Sequence, residues 1–344
     1  MDTVTYQKII SLDNLLLAWK EFSKGKSSRE DVQRFQLHLM DNVLSLHQDL
    51  KNKKYIHGAY HAFNISDPKP RNIHKAMVRD RLLHHTIYRI LYPYFDTKFI
   101  HDSYSCRENK GTHKAINRFR SMALKVSQNN TRTCYVLKCD IKKFFANIDH
   151  QILKSILSKS LFDTDILWLL SQVIDSFSAS SARRVLAGIG FYPIGLAYGV
   201  GLPLGNLTSQ LLVNIYMNEF DKYIKRELKV KYYIRYADDF IIMSEDKDKL
   251  INLLQYIVVF LKERLNLELH PNKIHLKTLA SGVDFLGWVH FPRHRVLRTS
   301  TKRRMLKNLK DNQKPEVLQS YLGLLSHGDT YKLKNRLISI LIGE

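Results

Sequence analysis

An α+β fold with an antiparallel sheet follows from three features of the 344-residue sequence. Helical periodicity dominates both ends. Short β-rich runs lie in the middle. The regular strand–helix alternation that builds a doubly wound parallel sheet does not occur. At 44% hydrophobic and 11% aromatic residues, the chain has enough apolar surface for a core, which excludes wholesale disorder. The length corresponds to about two domains or one multi-lobed one.

In chain order, residues 4–22 and 29–50 are expected to be helices. Leu12, Leu15, Leu16 and Trp19 recur at helical spacing, as do Phe35, Leu39, Val43 and Leu46. Asp67-Pro68-Lys69-Pro70 is extended or turn-like. A helix over 76–92 should end before Pro93, and another over 111–128 follows Gly111. Tyr135 to Asp140 is a β-rich run that ends in an acid, and 149–159 is a helix capped by Asp149. Gly199 to Pro203 is a Gly-punctuated loop before a long helix from Asn206 to Tyr223. Lys231–Tyr236 and Phe240–Ser244 are strands around a tight turn holding Asp238-Asp239. A helix over 247–265, a strand pair over 283–291 and basic helices over 300–312 and 315–342 complete the chain.

Charge narrows the function. Lys and Arg number 54 against 32 Asp and Glu, a formal charge of +22. Residues 51–150 hold 20 basic and 7 acidic residues, and residues 293–344 hold 12 and 4, whereas 231–292 are balanced at 8 and 8. Two separated basic regions around a neutral stretch point to a polyanion, nucleic acid before membrane. The most apolar stretch, Ile251 to Leu261, falls short of the ~20 residues a membrane span needs. Cys106, Cys134 and Cys139 have no zinc-type spacing and are expected as buried thiols. With no secretory leader pattern at the N-terminus, a cytoplasmic protein is expected.

The candidate chemistry lies in the neutral stretch. Asp238 and Asp239 are adjacent carboxylates in an apolar, aromatic setting, and Asp140 ends an apolar strand. Such a set repels itself unless a cation or water screens it. Hard oxygen ligands suit Mg2+, or Mn2+, and two ions are a standard device for in-line phosphoryl transfer. A solvated surface turn remains the competing reading of Asp238-Asp239.

Seven colinear blocks over roughly residues 60–292 resemble reverse transcriptases. They are Pro68-Lys-Pro-Arg71 with Val78-Arg79-Asp80-Arg81; Ser105-Cys106-Arg107 through His113; Leu137 to His150; Gly201-Leu-Pro-Leu-Gly205-Asn-Leu-Thr-Ser209-Gln210; Tyr236-Ala-Asp-Asp239; Leu269 to Lys273; and Phe285-Leu-Gly-Trp288. The resemblance implies a right-hand polymerase with fingers, palm and thumb, an antiparallel palm sheet and a helical thumb. It divides the chain into an N-terminal helical extension (1–60), fingers (61–137), palm (138–292, with a fingers insertion at about 160–200) and a basic thumb (293–344).

It further implies metal binding by Asp140, Asp238, Asp239 and the carbonyl of Ile141, with Lys273 donating a proton to pyrophosphate or simply meeting phosphate. Arg71, Lys75, Arg79, Arg81, Gly205 and Gln210 would handle the incoming nucleotide, and Phe145, or alternatively Phe144, would exclude a ribose 2′-OH. Leu204, Asn206, Gly287 and Trp288 would meet template and primer. Gly287 would allow close backbone approach, although this stretch is equally a core hairpin by composition. Template RNA, a cDNA primer–template duplex and dNTPs are the implied partners.

Within the bacterial group, most members carry Gln-Gly-x-x-x-Ser-Pro where this chain has Leu204-Gly205-Asn206-Leu207-Thr208-Ser209-Gln210. That pattern resembles the enzymes of diversity-generating retroelements, which copy a template RNA with errors at adenines and work with a small basic ring-forming accessory protein (a variability determinant). A retron-type, group II intron-like or phage-defence enzyme, or a catalytically inert RNA-binding relative, is the alternative. No endonuclease or RNase H domain is expected.

Overall fold

The computed structural model describes residues 4–66, 70–179, 199–312 and 314–342. Its elements run α1 (Tyr6–Ile10), α2 (Leu12–Ser23), α3 (Glu30–Leu37), α4 (Leu39–Lys51), β1 (Tyr60–Ile65), β2 (Arg71–Ala76), α5 (Val78–Asp96), α6 (Thr112–Val126) and β3 (Tyr135–Asp140). After these come α7 (His150–Ser158), α8 (Thr164–Asp175), α9 (Leu207–Lys222), β4 (Tyr233–Tyr236), β5 (Asp239–Ser244), α10 (Lys247–Leu265) and β6 (His275–Thr278). The remainder is β7 (Val283–Phe285), β8 (Trp288–His290), β9 (Arg295–Leu297), α11 (Thr299–Asp311), α12 (Pro315–Leu325) and α13 (Tyr331–Ile342).

Several boundaries differ from the sequence expectation for identifiable reasons. The first two helical stretches are each broken, at Ser11 and at His38. Ser11 leaves helical geometry to cap α2, its hydroxyl accepting from the Asn14 amide. Helix α5 runs through Pro93, because burial of Leu91, Tyr92 and Phe95 outweighs the missing amide. The last helix is split after Leu325, whose carbonyl accepts from the buried Thr330 hydroxyl. Strands β1, β2, β6 and β9 were not expected; they are short or carry exposed polar positions, so no apolar alternation marks them. Cys106 is exposed rather than buried, while Cys134 and Cys139 are buried as expected. Asp67, Pro68 and Lys69, and residues 180–198 of the expected fingers insertion, lie outside the described residues.

Contacts divide the chain into two compact units. One comprises Met1–His101, Ile141–Tyr223 and Val258–Glu268, the other Asp102–Asp140, Ile224–Ile257 and Leu269–Glu344. In the first, α9 is buried along nearly its whole circumference, with Leu211, Leu212, Ile215, Tyr216 and Phe220 in the core. The antiparallel β1–β2 hairpin is also part of this unit.

The second unit holds a four-stranded antiparallel sheet in the order β4-β5-β3-β6. Its central strands are apolar on both faces: Val136, Leu137 and Cys139 on β3, and Phe240, Ile241, Ile242 and Met243 on β5, are all buried. Each such side chain contributes roughly 1.5–3 kcal/mol on burial. A second, three-stranded sheet, β7-β8-β9, shares a core with α6 and with Met305, Leu309, Leu325 and Leu337 of the C-terminal helices.

Arg235 on β4 is fully buried, and its guanidinium donates to the Ala237 carbonyl at 3.0 Å and to Ser103 Oγ at 3.0 Å. It holds the β4–β5 turn from within, where Ala237 takes a left-handed φ of 55°. Arg235→Met should therefore leave buried acceptors unpaired and lower unfolding free energy by about 2–3 kcal/mol. Urea denaturation of variant and parent checks this.

Candidate active site

The acidic centre is set by strand register in the second unit. Asp140, the last residue of β3, pairs directly with Asp239, the first of β5, and Asp238 precedes it in the tight turn. Strand ends bring the carboxylates to the edge of the apolar sheet, where lysines can reach them. The Asp140 carbonyl accepts from the His270 amide at 2.8 Å. That bond leads into a short turn at Pro271–Lys273, from which Lys273 Nζ donates to Asp140 Oδ1 at 2.8 Å. Lys138 Nζ lies 3.4 Å from Asp239 Oδ2 and donates to the Asp284 carbonyl at 2.8 Å. Two lysines thus face two carboxylates.

The Asp239 carboxyl is pushed up to about 7. Burial is the main cause, opposed by Lys138 and reinforced by Asp140 and Asp238. Its Oδ1 is buried without a hydrogen-bond donor. An uncompensated buried anionic oxygen beside two further carboxylates fits a hard divalent cation in donor chemistry. Among the described residues, however, no group of three or more His, Cys, Asp or Glu side chains is gathered closely enough to share an ion. Lys273 and Lys138 occupy partners that an ion would otherwise claim. Ile141 follows Asp140 with a buried side chain, so only its backbone carbonyl is a candidate ligand.

The first unit gathers another set of expected residues. The Gly201–Asn206 loop is tied down by backbone bonds from Gly201 to the Ile148 carbonyl and from Leu202 to the Phe145 carbonyl, both 2.7 Å, and from His74 on β2 to the Leu204 carbonyl at 3.0 Å. The fully buried His150 ring adds a bond to the Gly201 carbonyl at 2.7 Å. Both glycines are required. Gly201 (φ 103°) would place a Cβ 2.7 Å from the Ala179 side chain, and Gly205 (φ 112°) one at 3.0 Å from Ile73. Asn206 is buried with its amide nitrogen unpartnered, and Gln210 lies half-buried in α9. Phe144 is buried while Phe145 stays partly exposed, which separates core ring from candidate gate.

Other expectations change. Arg79 pairs with Asp49 of α4 at 2.5 Å, and Arg81 with Asp31 of α3, so these guanidiniums are engaged by the N-terminal helices rather than directed to nucleotide. Lys75 also reaches Asp31, at 2.6 Å. Burial would raise the Asp31 carboxyl, but Lys75 and Arg81 hold it below its usual value. Arg71 is exposed on β2. Gly287 has open space around its α-carbon and takes a left-handed φ of 87°, as its neighbour Leu286 does (49°), in the β7–β8 turn. Trp288 is a core ring, 1% exposed, and can face a primer only through its backbone. Sequence reading missed Lys138, although its position two residues before Asp140 on one strand places both side chains on the same face.

Residues 65–290 match the family model described as reverse transcriptase (RNA-dependent DNA polymerase). The chain belongs to the reverse transcriptase family. It is 25% identical over 272 residues to Protein YkfC of Escherichia coli (strain K12), across 69% of this chain and 66% of that one. To the Putative COX1/OXI3 intron 2 protein of Saccharomyces cerevisiae it is 22% identical over 288 residues, across 67% and 30%. The match thus spans just under two thirds of one relative and under a third of the other. A solved structure of apo telomerase from Candida tropicalis, truncated from its C-terminal domain, superposes with a TM-score of 0.48 at 12% identity over 76% of this chain and 60% of that one. As a reverse transcriptase, the chain has its family match running from β1 to β8, across both compact units.

Raised as it is, the Asp239 carboxyl binds a proton more readily folded than unfolded. Its ionisation removes stability as pH rises from the ordinary aspartate value toward about 7. Metal-free Asp239→Asn should accordingly melt higher than the parent at pH 8, with the gap closing by pH 5. Millimolar Mg2+ should raise the parent's Tm and leave the variant's nearly unchanged. Differential scanning fluorimetry with and without chelator reads both effects.

Proposed function

We propose that this reverse transcriptase is the RNA-directed DNA polymerase of a diversity-generating retroelement, copying a template RNA into cDNA with errors at adenines. Family membership supports the polymerase class, and Asp140, Asp238 and Asp239 are its catalytic carboxylates. When bound by them and the Ile141 carbonyl, Mg2+ or Mn2+ supplies the activation of a 3′ oxygen and the neutralisation of pyrophosphate. Lys273, close enough to donate to Asp140, is the candidate proton donor. Arg71 on the β1–β2 hairpin grips the triphosphate, Phe145 excludes a 2′-OH, and Gly205, Asn206 and Gln210 line the nucleotide and template side. Residues 61–137 act as fingers, 138–292 as palm and 293–344 as a basic thumb that holds the duplex by its backbone. The first 50 residues, with 6 basic and 7 acidic side chains, are the proposed face for a basic accessory protein.

The observation that carries the subtype is Leu204. Its backbone carbonyl accepts from the His74 amide of β2 at 3.0 Å, and an apolar side chain placed against a template would offer it shape alone. Where a Gln would add hydrogen bonds, Leu leaves base pairs discriminated less strongly. An intron-associated role is the second reading, favoured by the match to the yeast intron 2 protein. No helix among the described residues is long and apolar enough to cross a membrane.

Sequencing of cDNA made on an adenine-containing RNA tests the reading. The parent should misincorporate opposite adenine far more often than opposite other bases, and Leu204→Gln should lower that error about tenfold, the scale of one net hydrogen bond gained. Equal adenine errors in parent and variant would sink the role given to Leu204.

A further inference from the structure

Behind the Gly201–Asn206 loop, Thr208, His84 and His57 form a buried polar line. Thr208, in the first turn of α9, is 1% exposed, and His84 on α5 is 2% exposed. Thr208 Oγ1 lies 2.8 Å from His84 Nδ1, and His84 Nε2 lies 3.2 Å from His57 Nε2. His57 Nδ1 lies 2.7 Å from the Gly58 carbonyl.

The protons can be placed by elimination. A carbonyl only accepts, so His57 Nδ1 carries the hydrogen and its Nε2 accepts. The Tyr60 hydroxyl also lies 3.2 Å from His57 Nε2, but Ser176 Oγ donates to the Val173 carbonyl at 2.6 Å and so accepts the Tyr60 hydrogen at 2.8 Å. His84 Nε2 therefore donates to His57, and His84 Nδ1 accepts from the Thr208 hydroxyl. Both rings are neutral in this arrangement, and burial pushes both imidazoles down, which keeps them so. The far end of the line is anchored. Buried Asp80 on α5 accepts from the Gly58 amide at 3.2 Å and from the Tyr55 hydroxyl at 2.7 Å.

We propose that Thr208, acting through His84, is a positioning residue that fixes the first turn of α9 and with it the setting of Leu204, Gly205 and Asn206 against β2. Each group in the line has one donor or acceptor assignment, so the turn has one favoured rotation and depth. The geometry stands by itself; the consequence for nucleotide handling rests on the polymerase reading. A line of this kind differs from a bulk core contact because it is lost with a single hydroxyl while volume is kept.

Three variants test it. Thr208→Val keeps the shape and removes the hydroxyl, Thr208→Ser restores the hydroxyl, and His84→Gln supplies one donor and one acceptor in place of the ring. Amide hydrogen exchange is measured on peptides covering residues 70–76 and 199–206, and on α5 as reference. Thr208→Val should speed exchange in those two peptides about tenfold and leave α5 unchanged, whereas Thr208→Ser and His84→Gln should stay near the parent. On a primed RNA, Thr208→Val should raise KM for dNTPs about three- to tenfold with kcat within about twofold. Unchanged protection in Thr208→Val, or exchange that rises equally in α5, would overturn the proposal. If the parent itself extends no primer, the polymerase reading falls, while the exchange measurement still decides the positioning claim.

Discussion

The antiparallel pairing of β3 with β5, which sets Asp140 opposite Asp239, is the constraint on which the rest of the acidic centre depends. The register runs through six antiparallel pairs, from Tyr135 with Ser244 to Asp140 with Asp239, between two largely buried apolar runs. A slip by one residue would exchange every buried side chain for its neighbour's face. The apolar sheet therefore fixes where the acids stand. The acids in turn require compensation, which Lys138 and Lys273 provide from β3 and from the turn after His270. With three carboxylates against two lysines, the centre is only partly compensated and keeps one buried carboxylate oxygen without a donor.

The basic surplus serves more than one purpose. Part of it is committed internally: Lys75, Arg79 and Arg81 are engaged by Asp31 and Asp49, tying the β1–β2 hairpin and α5 to the N-terminal helices. Partly exposed pairs of this kind are worth little individually. Their interest is that they define which cations stay available to a polyanion. Helix α11 keeps Lys302, Arg303 and Lys307 exposed over an apolar side formed by Met305 and Leu309. That division matches a surface built for backbone contacts rather than base readout.

Much of this was legible in the sequence wherever burial is one-dimensional. The runs Tyr135–Asp140 and Asp239–Ser244 and the long periodic stretch Lys247–Leu265 announce their state without help from distant residues. The three aspartates stand out through their motifs, and the strand pairing brings Asp140 opposite Asp239. Hairpin β1–β2 was not, because its side chains are half exposed and its partner strand supplies the order. Arg79 and Arg81 show the same limit: their acidic partners lie 30 and 50 residues away, so only the fold reveals that they are already paired. The Thr208–His84–His57 line is wholly tertiary, joining residues 124 and 27 positions apart. Trp288 has a composition suited to either a contact or a core, and burial decided for the core.

The most direct measurement is dNTP incorporation on a primed RNA template across a Mg2+ titration, by the parent and by Asp140→Asn, with correct folding of both verified by circular dichroism. The paired-strand account predicts Mg2+-dependent DNA synthesis by the parent and a loss of at least about a thousandfold in the variant, the scale expected when a ligand to a catalytic metal is removed. Synthesis by Asp140→Asn at the parent's rate, or a folded parent that makes no DNA with Mg2+ or Mn2+, would contradict it.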